Sequence, residues 1–228
     1  MQGDPDRLFR TRRPPLPRTE LAGFDLAAAW SPWDEASGDL CDWYPSQAGG
    51  LTLTVGDVMG MGAPAATLAA RLRRALQAAS RQAGLAEAVS STAQHLELHS
   101  TTTLVTLLHA TLRSDGRLSY IDAGHGLDVL VRDGRLHRLD VRGVPLGVAD
   151  DSIWQVGQDR LAPGDTLVAF TDGLMDLHGG LEETFSAILD LVTAEADVQA
   201  TADALAWQTW FGEQTDDVTV VVARRQAQ

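Results

Sequence analysis

Alternating apolar and polar positions mark short β-strands in the first quarter of the chain. FDLAAAW at 24–30 predicts a first strand, and LTLTVGDV, which begins at Leu51, predicts a strand that ends on Asp57. Between them, SPWDEASGDLCDWYPSQAGG at 31–50 is rich in acids and turn residues and predicts a loop. Its acidic residues are Asp34, Glu35, Asp39 and Asp42.

A change from alternation to helical periodicity follows Asp57. The glycine-rich turn GDVMGMG at 56–62 lets the backbone bend tightly, and the fixed φ of Pro64 suits the first turn of a helix. Apolar residues then recur at helical spacing, so the range 63–80 predicts a helix and 85–98 predicts a second one. The apolar stripe of the first helix is Leu68, Leu72 and Leu76.

Two hairpins and further strands occupy the second half of the chain. The turns SDG at 114–116 and DG at 133–134 each separate two strand-like runs, so consecutive strands are predicted to pair antiparallel. The apolar run TLVAF leads to Asp172, and DDVTVVVAR begins with Asp216 and Asp217. Helical patterns cover 181–192 and 198–207. The predicted class is α+β, with antiparallel sheets and helices packed outside them.

Length, charge and cysteine content narrow the function classes. A chain of 228 residues with 44% hydrophobic content favours one domain, and a net charge of −13 disfavours nucleic acid and anionic membranes as partners. Cys41, the single cysteine, excludes an intramolecular disulfide framework and a cysteine-based zinc site. No apolar run reaches about 18 residues and no signal-peptide pattern follows Met1, so a cytoplasmic protein is expected.

The first 20 residues differ in composition from the rest of the chain. MQGDPDRLFRTRRPPLPRTE contains prolines and five arginines, which predicts a leader or linker over 1–20 and a folded domain over 21–225. Solvation of the arginines is the simpler interpretation, and docking to an acidic partner is the alternative.

Aspartates at strand ends are the candidate chemistry. Rigid strands can hold such side chains convergently over one edge, and carboxylate oxygens are the ligands that hard divalent cations prefer. Two such ions about 3.5 to 4 Å apart would suit hydrolysis of a phosphate ester. For any single aspartate, capping of a turn is the alternative role. The candidates are Asp39, Asp57, Asp172 and the pair Asp216 and Asp217.

Six segments carry a resemblance to a known family. They are SGDLCDW, GDVMGMGAPAATLA, SYIDAGHGLDVLVR, GVPLGV, TLVAFTDGLMD and DDVTVVVAR, and together they cover about residues 20–224. In this order they resemble the motifs of the SpoIIE-type branch of the metal-dependent type 2C serine/threonine protein phosphatases. The resemblance implies a two-layer antiparallel β-sandwich flanked by helices, with two Mn²⁺ or Mg²⁺ ions at one end.

The same resemblance implies roles for individual residues. Asp57 would bridge both ions, Asp39 would support the second ion, and Asp172 with Asp216 would complete the first. Asp217 is the adjacent alternative to Asp216, and Asp57 with Asp172 would form the catalytic pair. A metal-bound hydroxide would then attack phosphorus. The implied metal-binding set is Asp39, Asp57, Val58, Asp172, Asp216 and Asp217.

The implied function is hydrolysis of phosphoserine or phosphothreonine. The implied substrate is a phosphorylated bacterial protein, such as an anti-sigma-factor antagonist in a partner-switching pathway, and a homodimer or an upstream sensor protein is a further candidate partner. The alternatives are a pseudophosphatase that acts as a protein-binding module and a calcium-binding structural domain.

Three features depart from the wider family pattern. Met59 stands where eukaryotic relatives of the wider superfamily have a histidine, so leaving-group protonation must come from water or another group. Met61 stands where many SpoIIE-type domains have a histidine, a change expected to alter the packing of the turn but not the metal ligands. No arginine stands at a position that the family uses for phosphate, so the metals alone would bind the phosphoryl group.

The remaining reactive residue types have structural interpretations. His125 is expected to bond local backbone within its turn, and Cys41 lacks the partners of a nucleophile. The other histidines considered as metal ligands, at 95, 99 and 109, lack a third ligand and are expected at the surface or satisfied in the core. Six tryptophans are expected to bury surface, the last two being also candidates for a partner surface: Trp30, Trp33, Trp43, Trp154, Trp207 and Trp210.

Overall fold

The computed structural model describes residues 21–34, 36–47, 49–98, 102–148, 153–207 and 214–227. The predicted leader at 1–20 lies outside these residues, as do Glu35, His99 and Trp210. No helix of the described ranges is long and apolar enough to cross a membrane.

The described residues form ten strands and five helices. The strands are β1 (Phe24–Ser31), β2 (Asp39–Pro45), β3 (Leu51–Val58), β4 (Val105–Leu112), β5 (Arg117–Ala123), β6 (Asp128–Arg132), β7 (Arg135–Arg138), β8 (Gly157–Arg160), β9 (Thr166–Phe170) and β10 (Val218–Arg225). The helices are α1 (Gly62–Ala79), α2 (Leu85–His95), α3 (Gly173–His178), α4 (Leu181–Ala194) and α5 (Val198–Trp207).

The strands form two five-stranded sheets whose neighbouring strands pair antiparallel. The order is β1-β10-β9-β6-β7 in the first sheet and β2-β3-β4-β5-β8 in the second. The predicted hairpins β4-β5 and β6-β7 are confirmed. The pairing of β1 with β10 joins the two ends of the domain, a contact that local pattern does not reveal.

Three apolar clusters define a layered α-β-β-α arrangement. The first lies between the two sheets and includes Leu53 and Val221. The second packs the outer face of the first sheet against α3, α4 and α5, and the third packs the second sheet against α1 and α2. The predicted sandwich flanked by helices is confirmed.

Two local predictions were wrong and one was wrong in part. The segment 31–50 is not one loop, because it contains β2, whose buried side chains pack on both sides of the second sheet. No helix is predicted directly after Asp172, yet α3 begins at Gly173. Trp43 and Trp154 are buried as expected, whereas Trp33 is 45% exposed.

Gly56 brings β3 and β4 close together one residue before Asp57. A Cβ at this position would lie 2.3 Å from the Thr106 carbonyl oxygen and 2.8 Å from the Leu107 Cβ. Backbone atoms cannot move aside without disturbing the pairing of the strands. The close approach therefore requires glycine at the base of the acidic strand end.

We expect Gly56→Ala to lower the free energy of unfolding by about 1 to 3 kcal/mol, because the added methyl group forces the two strands apart. Chemical denaturation measures this change. Gly84→Ala is the matched control, since its Cβ would meet no atom within 4 Å; as a helix cap change it should cost about 1 kcal/mol or less. Equal losses in the two variants would contradict the steric argument.

His109 ties the far end of α1 to the second sheet. The buried imidazole lies on β4, with Nδ1 2.8 Å from Thr54 Oγ1 and Nε2 3.0 Å from Oγ of Ser80, the residue after α1. Burial lowers the pKa of His109 to about 4. The neutral imidazole, with one donor and one acceptor, suits two hydroxyl partners.

Acid should therefore destabilise the protein partly through His109. Between pH 6.5, the ordinary histidine pKa, and about pH 4, the unfolded chain binds a proton that the folded chain excludes. The contribution of His109 is thus complete above pH 6.5 and is lost as the pH falls, by up to roughly 3 kcal/mol.

Unfolding free energies measured from pH 7.5 to 4 should fall less steeply for His109→Gln than for the unaltered protein. His137→Gln, a change at an exposed histidine, is the control. Parallel profiles for His109→Gln and the unaltered protein would refute this role.

Candidate active site

Inward-facing positions of four strands change from apolar to polar at one end of the sandwich. Side chains alternate between the two faces of a strand, and Leu53 and Val55 of β3 point between the sheets. Two residues further on, Asp57 continues the same row. Asp39, Thr171 and Thr219 extend the inward rows of β2, β9 and β10 in the same way. Alternation alone thus places these polar groups together.

The Asp57 carboxylate interacts with three other carboxylates of the site. Burial, together with the nearby carboxylates of Asp172, Asp216 and Asp217, raises the pKa of Asp57 to about 7. Asp39 faces Asp57 across the β2-β3 pairing. The aspartates predicted from distant parts of the sequence therefore act on one another at one end of the molecule.

Asp39 is held by two hydroxyl groups. Its Oδ2 accepts hydrogen bonds from Thr171 Oγ1 at 2.8 Å and from Thr219 Oγ1 at 2.5 Å, and the Thr219 N–H donates to Thr171 Oγ1 at 2.9 Å. Burial nevertheless holds the pKa of Asp39 well above its usual range. The hydroxyls fix one carboxylate oxygen, which leaves Oδ1 for a further interaction.

Asp172 occupies the position before α3 without capping it. Its side chain makes no cap hydrogen bond and is exposed, so turn capping does not account for this residue. Gly173 lets the chain pass close to β10, because a Cβ there would lie 2.1 Å from the Asp217 carbonyl oxygen. The close approach brings Asp172 beside the start of β10.

The adjacent residues Asp216 and Asp217 have different surroundings. Both oxygens of Asp217 accept backbone hydrogen bonds, from the Trp33 N–H at 2.8 Å and the Gly38 N–H at 3.0 Å. Asp217 thus clamps the segment that leads into Asp39. Asp216 uses only Oδ1, for the Asp217 N–H at 2.8 Å, and burial raises its pKa.

The Val58 carbonyl lies beside the Asp57 carboxylate. A Cβ built on Gly38 would lie 2.9 Å from the Val58 oxygen and 3.2 Å from Asp57 Oδ1, so one small residue faces both atoms. The Gly38 carbonyl in turn accepts the Val58 N–H at 3.2 Å. Glycine at 38 therefore keeps space open in front of both oxygens.

The donor set fits a hard divalent cation. Every candidate ligand offers an oxygen. The pKa of Asp57, raised chiefly by burial, is raised further by neighbouring carboxylates, and a cation would reverse that repulsion. Within the described ranges, no three His, Cys, Asp or Glu side chains already form a group that could hold a metal ion. Binding would therefore draw the carboxylates closer together.

The other candidates lie apart from this chemistry. The His125 ring is buried, its pKa is lowered to about 4 chiefly by burial, and the His125 backbone N–H donates to Asp122 Oδ1 at 2.7 Å within the turn. Cys41 is buried and its thiol pKa is raised, chiefly by burial, which makes it a poor nucleophile. His95 is exposed on α2. None of these residues contributes an oxygen ligand.

Sequence reasoning missed the two threonines that hold Asp39 and a neighbouring cavity. Thr171 and Thr219 each stand next to or near a candidate aspartate, but only the register of β9 and β10 shows that both reach β2. A cavity of about 340 Å³ adjoins Asp39 and Thr219, and its walls include Trp30 and Arg73.

Known proteins resemble this chain in sequence. A model of the family described as Stage II sporulation protein E (SpoIIE) matches residues 47–226. The chain is 24% identical over 219 residues to the phosphoserine phosphatase RsbU of Bacillus subtilis (strain 168), covering 88% of this chain and 63% of that protein. It spans less than two thirds of the length of the curated relatives it matches.

Two solved structures share the architecture. The RsbU and RsbW domains of Rv1364c from Mycobacterium tuberculosis match with a TM-score of 0.76 and 26% identity over 91% of this chain and 62% of that one. The catalytic domain of the serine threonine protein phosphatase PstP, in complex with two manganese ions, matches with a TM-score of 0.67 and 19% identity over 88% and 97%. At this identity, the likeness to PstP extends to the fold alone. Because the family model covers most of the chain, the chain belongs to the SpoIIE family and has the type 2C phosphatase fold.

Proposed function

We propose that this chain is a metal-dependent phosphatase of phosphoserine and phosphothreonine in proteins. The observation that carries the proposal is the electrostatic coupling of Asp57 to Asp172 and Asp216 at the end of a type 2C sandwich. The likeness to a phosphoserine phosphatase supports the same reaction. The substrate class we propose is a phosphorylated anti-sigma-factor antagonist of a partner-switching pathway.

Two Mn²⁺ or Mg²⁺ ions are the proposed cofactors, as in the manganese complex of PstP. Asp57 would contact both ions, the Val58 carbonyl and Asp39 would contribute oxygens, and Asp172 with Asp216 would complete the set. Such ions supply Lewis acidity and lower the pKa of bound water.

The surrounding residues position these ligands. Thr171 and Thr219 orient the Asp39 carboxylate, and Asp217 holds the segment before it. We therefore assign Asp217 to positioning and Asp216 to the metal. Met59 and Met61, 49% and 69% exposed, form an apolar rim that cannot donate a proton.

Mn²⁺ should stabilise the protein and support hydrolysis of a phosphoserine peptide, and Asp57→Asn should abolish both effects. At a concentration 100 times its dissociation constant, the ion adds about 2.7 kcal/mol to the free energy of unfolding. The variant should lose more than about 100-fold in kcat/KM, because it removes the ligand shared by both ions. Thermal unfolding and phosphate release measure the two effects.

Asp190→Asn, the same change at an exposed position on α4, is the matched control and should retain both effects. Hydrolysis that ignores chelators or survives Asp57→Asn would contradict the metal mechanism. Mn²⁺ binding without hydrolysis would indicate a pseudophosphatase instead.

Asp216→Asn and Asp217→Asn should act in opposite ways on the metal-free protein. Asp217→Asn should lower the free energy of unfolding by about 1 to 3 kcal/mol, because an amide cannot accept both backbone N–H groups. Asp216→Asn should leave stability unchanged or higher, since it relieves repulsion, yet weaken Mn²⁺ binding about tenfold or more. Unfolding in a chelator and Mn²⁺ titration separate the two, and the reverse pattern would make Asp217 the ligand.

A further inference from the structure

Two exposed arginines, Arg138 and Arg142, converge on one turn. The turn joins β5 to β6, and within it Gly126 has a φ of +63°. A Cβ built on Gly126 would lie 3.8 Å from Nη1 of Arg142 and 3.9 Å from Nη2 of Arg138. Two guanidinium groups therefore approach the same backbone position at the surface.

The strand register places this turn at the acidic end of the sandwich. Gly124 pairs with Leu107, whose neighbour on β4 pairs with Asp57. On the other sheet, the Leu127 carbonyl accepts a hydrogen bond of 3.0 Å from the N–H of Phe170, the last residue of β9. Asp172 follows Phe170 by two residues. The turn thus crosses from one sheet to the other next to the candidate metal ligands.

The arginine side chains are exposed to solvent and make few interactions within the described part of the protein. Nη2 of Arg138 donates to the Gly126 carbonyl at 2.9 Å, and its guanidinium lies 5.6 Å from the centroid of the Phe185 ring. Among the residues that the structure describes, neither Arg138 nor Arg142 forms an ion pair within 4.0 Å. Most of their donors remain available to a ligand.

The two arginines could instead serve only to neutralise the buried acids beneath the turn. Asp122 and Asp128 are buried under the turn and interact electrostatically with both arginines. The Asp122 carboxylate, however, already accepts the His125 and Gly126 N–H groups at 2.7 and 3.0 Å. Oδ1 of Asp128 is buried without a hydrogen bond, so the arginines do not reach it. Neither acid forms an ion pair with Arg138 or Arg142 within 4.0 Å in the part of the chain that the structure describes.

We propose that Arg138 and Arg142 form a docking surface for an acidic segment of the phosphorylated protein substrate. The proposal rests on the proposed phosphatase function. The planar fork of a guanidinium matches carboxylates bidentately. In a chain of net charge −13, the pair supplies local attraction for an anionic segment beside the metal site.

Two phosphoserine peptides, identical except that the flanking residues are acidic in one and uncharged in the other, test this surface. With Mn²⁺ at low ionic strength we expect the acidic peptide to have a kcat/KM roughly tenfold higher, a preference that added salt reduces. In Arg138→Ala/Arg142→Ala the ratio should fall to about one. Arg135→Ala, at the opposite end of β7, is the matched control and should keep the preference.

Fluorescence anisotropy of the unphosphorylated acidic peptide separates docking from catalysis. Loss of binding in the double variant supports the docking surface even where neither peptide is hydrolysed, an outcome that would defeat the proposed function alone. Equal binding to the unaltered protein and the folded double variant overturns the docking surface, as does an unchanged kcat/KM ratio. Arg142→Ala alone, which removes no hydrogen bond of the described residues, repeats the comparison if the double variant unfolds.

Discussion

Repulsion among like-charged carboxylates is the constraint on which the rest of this structure depends. Asp57, Asp172 and Asp216 lie near one another at strand ends. Beyond the effect of burial, Asp172 and Asp216 raise the pKa of Asp57, and Asp172 raises that of Asp216. The apolar contacts of two sheets and five helices must overcome this repulsion in the metal-free chain. A divalent cation reverses the sign of the same interaction. If the proposed ions bind, the repulsion present without metal gives way to attraction between the carboxylates and the ions.

The neutral groups around the site show how the fold limits this repulsion. Both oxygens of Asp217 accept backbone N–H groups, and Oδ2 of Asp39 accepts two hydroxyl groups, so these hydrogen bonds form without a cation while Oδ1 of Asp39 is left for a ligand. Asp172 has no such cap. Some of the acids therefore make hydrogen bonds that hold the site together, and others have oxygens left to bind a ligand. Asp39 begins a strand of the second sheet and Asp217 directly precedes a strand of the first, so the fold fixes these two side chains without a bound metal.

How much the sequence predicts depends on how far apart the interacting residues lie. Strand-like runs predicted β1 and β3, and the turn sequences predicted both hairpins, because each depends on neighbouring residues. The same local patterns missed β2, because its acids and its proline are typical of a loop although Leu40 and Trp43 are buried. The partners of Asp217 are Trp33 and Gly38, 184 and 179 residues away, so no local pattern could distinguish it from Asp216. The family resemblance located the acids but not the contacts that assign their roles.

The distribution of charge decides how an anionic substrate can approach. At physiological ionic strength the field of an exposed charge fades over about 8 Å, so the net charge of −13 repels a phosphoprotein chiefly through the acids nearest its path. The end that holds the carboxylates would be the most repulsive region until cations bind. Arg138 and Arg142 lie at that end, against the turn between the sheets. If the chain acts as proposed, an acidic segment of the substrate would meet two converging positive charges here, at the same end of the sandwich as the candidate metal ligands.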